Sequence, residues 1–145
     1  MDALEKFVSE AVNSGKIWGL INDDNWAVSP SNEYENAEVL IFWSEEKLAL
    51  ACAVDEWNDY KAESISTAEW IENWAAGMFN ENIVAGTNWS ADLEGEEHDP
   101  LELALVMIHY MKENNKTFKP VNFNHIDELE KEYQEAVDGV EGMEE

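Results

Sequence analysis

The fold is decided by the stretch DPLELALVMIHYM, which runs from Asp99 to Met111. Asp99 followed by Pro100 is a strong helix start, because aspartate caps the free amides of a first turn and proline fits the first helical position. The residues after Pro100 are apolar on most sides of the predicted helix. A helix of that composition is normally buried. We therefore expect it to lie at the centre of the domain, with the other elements packed around it.

Four further helices are predicted along the chain. Two of them open with capping boxes, in which Asp2 pairs with Glu5 and Ser66 pairs with Glu69. An apolar stripe with helical spacing follows each box. The other two helices are predicted over Glu45–Trp57, with Ser44 as the cap, and over His125–Val137.

Short runs of apolar residues, rich in β-branched and aromatic side chains, predict the strands. In chain order they are Ile17–Ile21, Trp26–Ser29, Ala37–Trp43, Ala62–Ile65 and Ile83–Thr87. A polar four-residue turn joins the first two as a hairpin. A hairpin followed by strands that alternate with helices predicts the α+β class. We expect a mostly antiparallel sheet of about four to five strands with helices packed on it, plus a C-terminal helix.

The length of 145 residues predicts a single domain. We place that domain at residues 1–137, with a core at about 4–111 and a helical extension at 112–137. Residues 138–145 are expected to be a flexible acidic tail, because acidic chain ends with few apolar residues rarely pack.

The chain is strongly acidic yet rich in core-forming residues. It has 33 aspartates and glutamates against eight basic residues, all of them lysines, and its formal net charge is -25. Seven tryptophans and an apolar content of 45% predict a folded domain with a negative surface. Such a surface disfavours nucleic acids and anionic membranes, which both attract lysine and arginine. The charge serves either solubility alone or a basic protein partner.

One cysteine, Cys52, is present, so no disulfide can form within the chain. The sequence from Met1 to Ser14 has neither the basic start nor the apolar centre of a signal peptide. The longest apolar run, Leu48–Val54, is far shorter than the roughly 20 residues of a membrane span. We therefore expect a cytoplasmic protein that does not enter membranes.

Several short sequences in a fixed order carry a family resemblance. They are Lys16-Ile17-Trp18-Gly19-Leu20, Trp26-Ala27, Phe42-Trp43-Ser44, Cys52-Ala53-Val54-Asp55-Glu56-Trp57, Glu69-Trp70-Ile71-Glu72-Asn73-Trp74 and Pro100-Leu101-Glu102-Leu103. In this order they resemble a bacterial family known as domain of unknown function 2750. The resemblance covers roughly Leu4 to Met111. It implies no particular chemistry, because the family is uncharacterised.

The candidate partner-binding residues lie at strand ends and in one acidic segment. Trp43 and Trp89 lie at the ends of predicted strands, where an aromatic side chain can be exposed and anchor a partner instead of filling the core. The segment Asp92–Asp99 is dense in carboxylates. It is either a solvated loop or a contact for a basic partner. The candidate acidic contacts are Asp92, Glu94, Glu96 and Glu97.

The sequence predicts no catalytic, cofactor-binding or metal-binding residues. His98, His109 and His125 lack the spacing of zinc ligands. Cys52 lies on the inward face of its predicted helix, where a free cysteine behaves as a small apolar residue. Enzymatic activity stays open, with a non-enzymatic role favoured. The favoured function is a protein-interaction module. The alternatives are an immunity-like or nucleic-acid-mimicking inhibitor of a basic partner, and a small hydrolase that uses carboxylates.

A short lysine-rich strip interrupts the negative charge after the central helix. It contains Lys112, Lys116 and Lys119. Lysines at the end of a helix complement its dipole. The strip could instead clamp the acidic helix His125–Val137 or dock another subunit.

The net charge generates a prediction about stability. Screening of self-repulsion should raise the melting temperature by several degrees between about 0.01 M and about 0.1 M NaCl, where the Debye length falls from about 30 Å to about 10 Å. Circular dichroism melts at constant pH measure this shift. A melting temperature that stays flat over this range would mean that the charges are already well dispersed.

Overall fold

The structure is a computed structural model that describes residues 2–34 and 37–143, except for the side chains of residues 140–143. The α-helices are α1 (Ala3–Ser14), α2 (Glu46–Ala51), α3 (Thr67–Glu69), α4 (Ala75–Asn80), α5 (Pro100–Glu113) and α6 (Ile126–Met143). The strands are β1 (Lys16–Asn22), β2 (Asn25–Trp26), β3 (Val28–Pro30), β4 (Glu38–Phe42), β5 (Lys61–Ser66), β6 (Ile83–Thr87) and β7 (Glu96–His98). A 3-10 turn spans Asp55–Trp57, and a π-helical turn at Trp70–Trp74 joins α3 to α4.

The predicted α+β class and its mostly antiparallel pairing are confirmed. Among the described residues the strands form two sheets, with the orders β2-β1-β5 and β3-β4-β6-β7. The pair β4–β6 is parallel and the other pairs are antiparallel. A bridge between Trp18 and Trp43 links the two sheets through two hydrogen bonds of 2.8 Å. The strands therefore form two sheets, whereas a single sheet was predicted.

The central strand β4 is buried on both faces. Val39, Ile41 and Trp43 belong to one apolar cluster, whereas Phe42 belongs to the other. Successive strand residues point to opposite faces, so this alternation places one cluster on each side of the sheet. The larger cluster includes α1, α5, α6 and the π-helical turn; the smaller includes Cys52, Trp57 and Trp89.

The central position of α5 is confirmed. Asp99 caps it by accepting hydrogen bonds from the amides of Leu101 and Glu102 at 2.9 and 3.1 Å. Eight of its residues are buried, including Leu103, Ala104 and Ile108. The first helix also begins as predicted, since the Asp2 carboxylate accepts the Glu5 amide at 2.8 Å.

Two predicted elements are broken in the structure. The helix predicted over Glu45–Trp57 ends at Ala51, and Ser44 does not cap it, since its hydroxyl donates to the Glu10 carboxylate at 2.6 Å. Cys52 and Trp57 are both buried. In a straight helix, residues five apart point in directions about 140° apart, so both side chains could not face the same core. The helix therefore gives way to a 3-10 turn that brings Trp57 beside Trp43, with ring centroids 6.5 Å apart. Similarly, the strand predicted over Trp26–Ser29 is divided at Ala27 between β2 and β3.

The C-terminal helix α6 starts one residue after the predicted start and extends past the predicted end at Val137 to Met143.

The lysine strip clamps α6 at one point, where Lys112 pairs with Asp127 and Glu130 of that helix. The hydrogen bond from Lys112 lowers the pKa of the Asp127 carboxyl. The stabilisation from this pair is therefore present near neutral pH and is lost as the pH falls through that lowered pKa. Glu144 and Glu145, the end of the predicted flexible tail, lie outside the described residues.

The π-helical turn provides a second attachment for α6. Its widened backbone leaves the carbonyls of Ile71 and Glu72 to accept from the Tyr133 hydroxyl, at 2.6 and 2.9 Å. Burial, with help from the Glu72 charge, raises the pKa of that hydroxyl, so it remains a neutral donor. The buried Glu72 carboxylate accepts the amides of Val121 and Asn122 at 2.8 and 2.7 Å. The residues after α5 are thus held by a carboxylate that binds backbone amides.

We predict that Glu72→Gln lowers the free energy of unfolding by about 1–3 kcal/mol, because one charge-assisted bond is lost and a side-chain NH₂ faces a backbone amide. Glu132→Gln is the control, since it removes the same charge from an exposed position on α6. It should change stability by less than about 0.5 kcal/mol. Urea unfolding followed by circular dichroism measures both. Equal stabilities of the two variants would contradict a structural role for Glu72.

Candidate functional site

The acidic segment after β6 is wound around one tryptophan side chain. Trp89 is 2% exposed and is wrapped by backbone on both sides. A Cβ atom added at Gly86 would lie 2.7 Å from the Trp89 ring, and one added at Gly95 would lie 2.3 Å from it. Only glycine lets the chain approach the ring this closely. Trp89 therefore determines where the acidic segment runs.

Polar atoms of Trp89 complete this arrangement. Its carbonyl oxygen accepts hydrogen bonds from the Trp43 indole N–H at 3.0 Å and from the Cys52 thiol at 3.2 Å. Its own indole N–H donates to the carbonyl of Glu96 at 2.9 Å. The prediction that Trp43 and Trp89 are exposed is wrong, because Trp43 is fully buried as well. Both tryptophans position the acidic segment and neither presents a ring to a partner.

The loop between Trp89 and β7 carries the exposed carboxylates. It is closed by backbone bonds between Ser90 and Leu93 and between Ser90 and Glu94, each 2.9 Å long. Leu93 has a φ of 61°, in the left-handed region that few non-glycine residues adopt. Asp92 and Glu94 are exposed on this loop. The turn thus presents carboxylates on a fixed backbone.

The two later candidate carboxylates differ in their surroundings. Glu96 is exposed and lies 3.3 Å from His98. Glu97 is buried, and its carboxylate accepts the amide of Asn32 at 2.8 Å and the hydroxyl of Ser31. The acidic segment Asp92–Asp99 is not a loop throughout, because Glu96–His98 forms β7. Glu97 therefore joins β7 to the residues that follow β3 and is not free to meet a partner.

A small open cavity lies beside the acidic loop. Its volume is about 100 Å³, and its lining comes from two segments, residues 52–57 and residues 91–93. Cys52 and Trp57 are its buried members. Val54 and Ala91 are exposed at its edge. Asp55 and Glu56 also line the cavity, which therefore combines apolar side chains with carboxylates.

The chemistry of Cys52 matches a structural role. Its side chain is 3% exposed, and its thiol donates to the Trp89 carbonyl. Burial raises the pKa of the thiol. A nucleophilic cysteine needs the thiolate form at neutral pH, which a raised pKa disfavours.

Across residues 2–34 and 37–143 no cluster of three or more histidine, cysteine, aspartate or glutamate side chains has the arrangement of a metal site. Asp99 is engaged as the cap of α5. In that part of the chain, no helix is both long and apolar enough to cross a membrane.

The cavity was missing from the expectations drawn from the sequence. Its two lining segments are separated in the chain by residues 58–90, and one of them was predicted to be the end of a helix. One signal was present in the sequence: Leu93 is an apolar residue between the carboxylates of Asp92 and Glu94. A large apolar side chain in an acidic loop commonly packs against something.

Fold and site together define a small α+β domain with an acidic loop beside an apolar cavity. Residues 4–106 match the model of a family described as Protein of unknown function (DUF2750). The chain belongs to this family. The acidic loop and the cavity lie inside the matched region, whereas α6 follows it. No curated protein and no solved structure matches the chain.

The close approach of Gly95 to Trp89 generates a prediction. Gly95→Ala should lower the free energy of unfolding by about 1–3 kcal/mol, because the new methyl group overlaps the indole ring. The control is Gly77→Ala in α4, where a Cβ meets no atom within 4 Å. That change should stabilise the protein by about 0.5–1 kcal/mol, since alanine is the better helix former. Thermal or urea unfolding of both variants is the measurement. A Gly95→Ala variant as stable as the native protein would contradict the role assigned to Trp89.

Proposed function

We propose that this protein is a non-enzymatic interaction module that binds a basic protein through its acidic loop. The observation that carries the proposal is the acidic segment fixed on Trp89, from which Asp92 and Glu94 of the loop and Glu96 of β7 extend into solvent. A charged surface that is already ordered loses little conformational entropy on binding. Carboxylate arrays also accelerate encounter with a cationic partner at low ionic strength.

The location of lysines supports the same proposal. Between Leu48 and Met111 the sequence has one lysine, Lys61, so cations that could neutralise the loop are few in this part of the chain.

A cytoplasmic location belongs to the proposal and is consistent with the free thiol of Cys52. An inhibitor that mimics nucleic acid is a special case, in which the basic partner is itself a nucleic-acid-binding protein. The same charge argues against nucleic acid as the ligand.

The buried carboxylates give the hydrolase alternative no specific support. Glu72 and Glu97 each accept backbone amides and are thereby engaged in the fold. The carboxylates at the cavity, Asp55 and Glu56, are exposed at its edge. Their position fits recognition of a cation.

The test compares two triple variants that remove the same charge from different places. The loop variant is Asp92→Asn, Glu94→Gln and Glu96→Gln. The control variant is Glu128→Gln, Glu132→Gln and Glu135→Gln on α6, where all three residues are exposed. Each is immobilised, exposed to native lysate at low salt, and compared with the unaltered protein by quantitative mass spectrometry.

We expect the unaltered protein and the α6 variant to retain the same basic proteins, and the loop variant to lose them. Retention should fall as salt rises to about 0.15 M and above, because exposed charges are then screened beyond about 8 Å. Equal retention by both variants would show that the loop is not the binding surface. Retention that is unchanged at high salt would contradict an electrostatic mode of binding.

A further inference from the structure

We infer that the cavity beside Cys52 receives an aliphatic side chain of the basic partner. The loop and the cavity then recognise one composite motif, an aliphatic residue flanked by lysine or arginine. This inference rests on the proposed function and adds to it the chemistry of the partner segment.

The lining of the cavity combines an apolar surface with carboxylates at the edge. Cys52, Val54, Trp57, Ala91 and Leu93 supply thiol and hydrocarbon surface. The two charged lining residues, Asp55 and Glu56, are both acidic, and no lysine of the described residues lines the cavity. An apolar group seated here is therefore surrounded by negative charge alone. A neutral or acidic segment would leave those carboxylates uncompensated, whereas a basic segment pairs with them.

The neighbouring loop extends the negative edge. Asp92 is adjacent in the chain to two lining residues, Ala91 and Leu93, and Glu94 follows Leu93. Both carboxylates are exposed. Cations on either side of a seated aliphatic residue can thus meet carboxylates from both lining segments.

Exposed apolar side chains accompany the cavity. Val54 is 43% exposed at its edge, and Leu50, two residues before Cys52, is 50% exposed. Single exposed apolar residues are ordinary on protein surfaces. Of the two, Val54 lines the depression and enlarges the area that an aliphatic group would cover.

The size of the cavity limits its occupant. A volume of about 100 Å³ is smaller than the roughly 150 Å³ of an engineered apolar cavity that binds benzene. The cavity therefore fits an aliphatic side chain, such as valine or leucine, better than an aromatic ring. Both lining segments are held by short-range hydrogen bonds, from Trp57 to Val54 at 3.0 Å and from Leu93 to Ser90 at 2.9 Å. The depression thus exists before a ligand arrives.

Two labelled synthetic peptides, KKKLKKK and KKKSKKK, test the inference by fluorescence anisotropy at low salt. The serine peptide measures the attraction of charge alone, and the leucine peptide adds the aliphatic anchor. We expect the leucine peptide to bind at least about tenfold more tightly, as burial of one aliphatic side chain implies. Ala91→Phe fills the cavity from its exposed edge without changing the charge. It should abolish the difference between the peptides and leave the affinity for the serine peptide unchanged.

Matched variants separate this inference from the proposed function. Val121→Phe adds the same side chain at a valine that is 87% exposed and does not line the cavity, so it should leave both affinities unchanged. Val54→Phe, a second filling variant, should reproduce Ala91→Phe if the latter unfolds. The loop variant defined above should weaken both peptides alike. Equal affinity of the unaltered protein for the two peptides would overturn the cavity inference and leave the acidic loop intact as a binding surface. A leucine preference that survives in both filling variants would also overturn it, whereas failure of both peptides to bind would overturn the proposed function as well.

Discussion

The structure depends on the hydrogen bonds that converge on the carbonyl oxygen of Trp89. This buried oxygen accepts from the Trp43 indole and from the Cys52 thiol. A buried carbonyl without a partner would cost about 1–3 kcal/mol, so these donors are required once Trp89 is inside. Together they connect the end of β4, the end of α2 and the start of the acidic loop. The bond from the Cys52 thiol to this oxygen links one lining segment of the cavity, residues 52–57, to Trp89, which lies just before the other, residues 91–93.

The excess of carboxylates is handled in two different ways. Most acidic residues are exposed and hydrated, which is the least costly place for a charge. The buried ones, Glu72 and Glu97, accept backbone amides of segments that lack regular secondary structure. With lysines few and arginines absent, backbone N–H groups replace cationic side chains as partners for buried carboxylates. Part of the negative charge is therefore structural, and only the exposed part is available for binding.

Local sequence signals predicted the elements whose causes are themselves local. Asp2, Ser66 and Asp99 cap helices as expected, because a cap needs only residues within one turn. The failures lie where tertiary contacts override a local preference. Ser44 has the chemistry of a cap, but Glu10 and Asn88 engage its polar atoms. Trp57 would continue a helix, but the space beside Trp43 draws it into a 3-10 turn. The cavity could not be predicted, because its two lining segments meet only after both changes.

The sequence by itself determined the α+β class, the central helix, the strongly negative surface and the family. Each follows from residue type and spacing along the chain. Only the tertiary structure decided that Trp43 and Trp89 are buried, that Glu97 is engaged, and that Asp92 and Glu94 stand beside an apolar cavity. Whether a side chain is buried, and which side chains it contacts, depends on which distant segments pack together. A polar or aromatic residue at a strand end can be either buried or exposed. The two tryptophans, Trp43 and Trp89, are buried and hold the acidic segment in place. The exposed side chains of that segment include the carboxylates of Asp92 and Glu94.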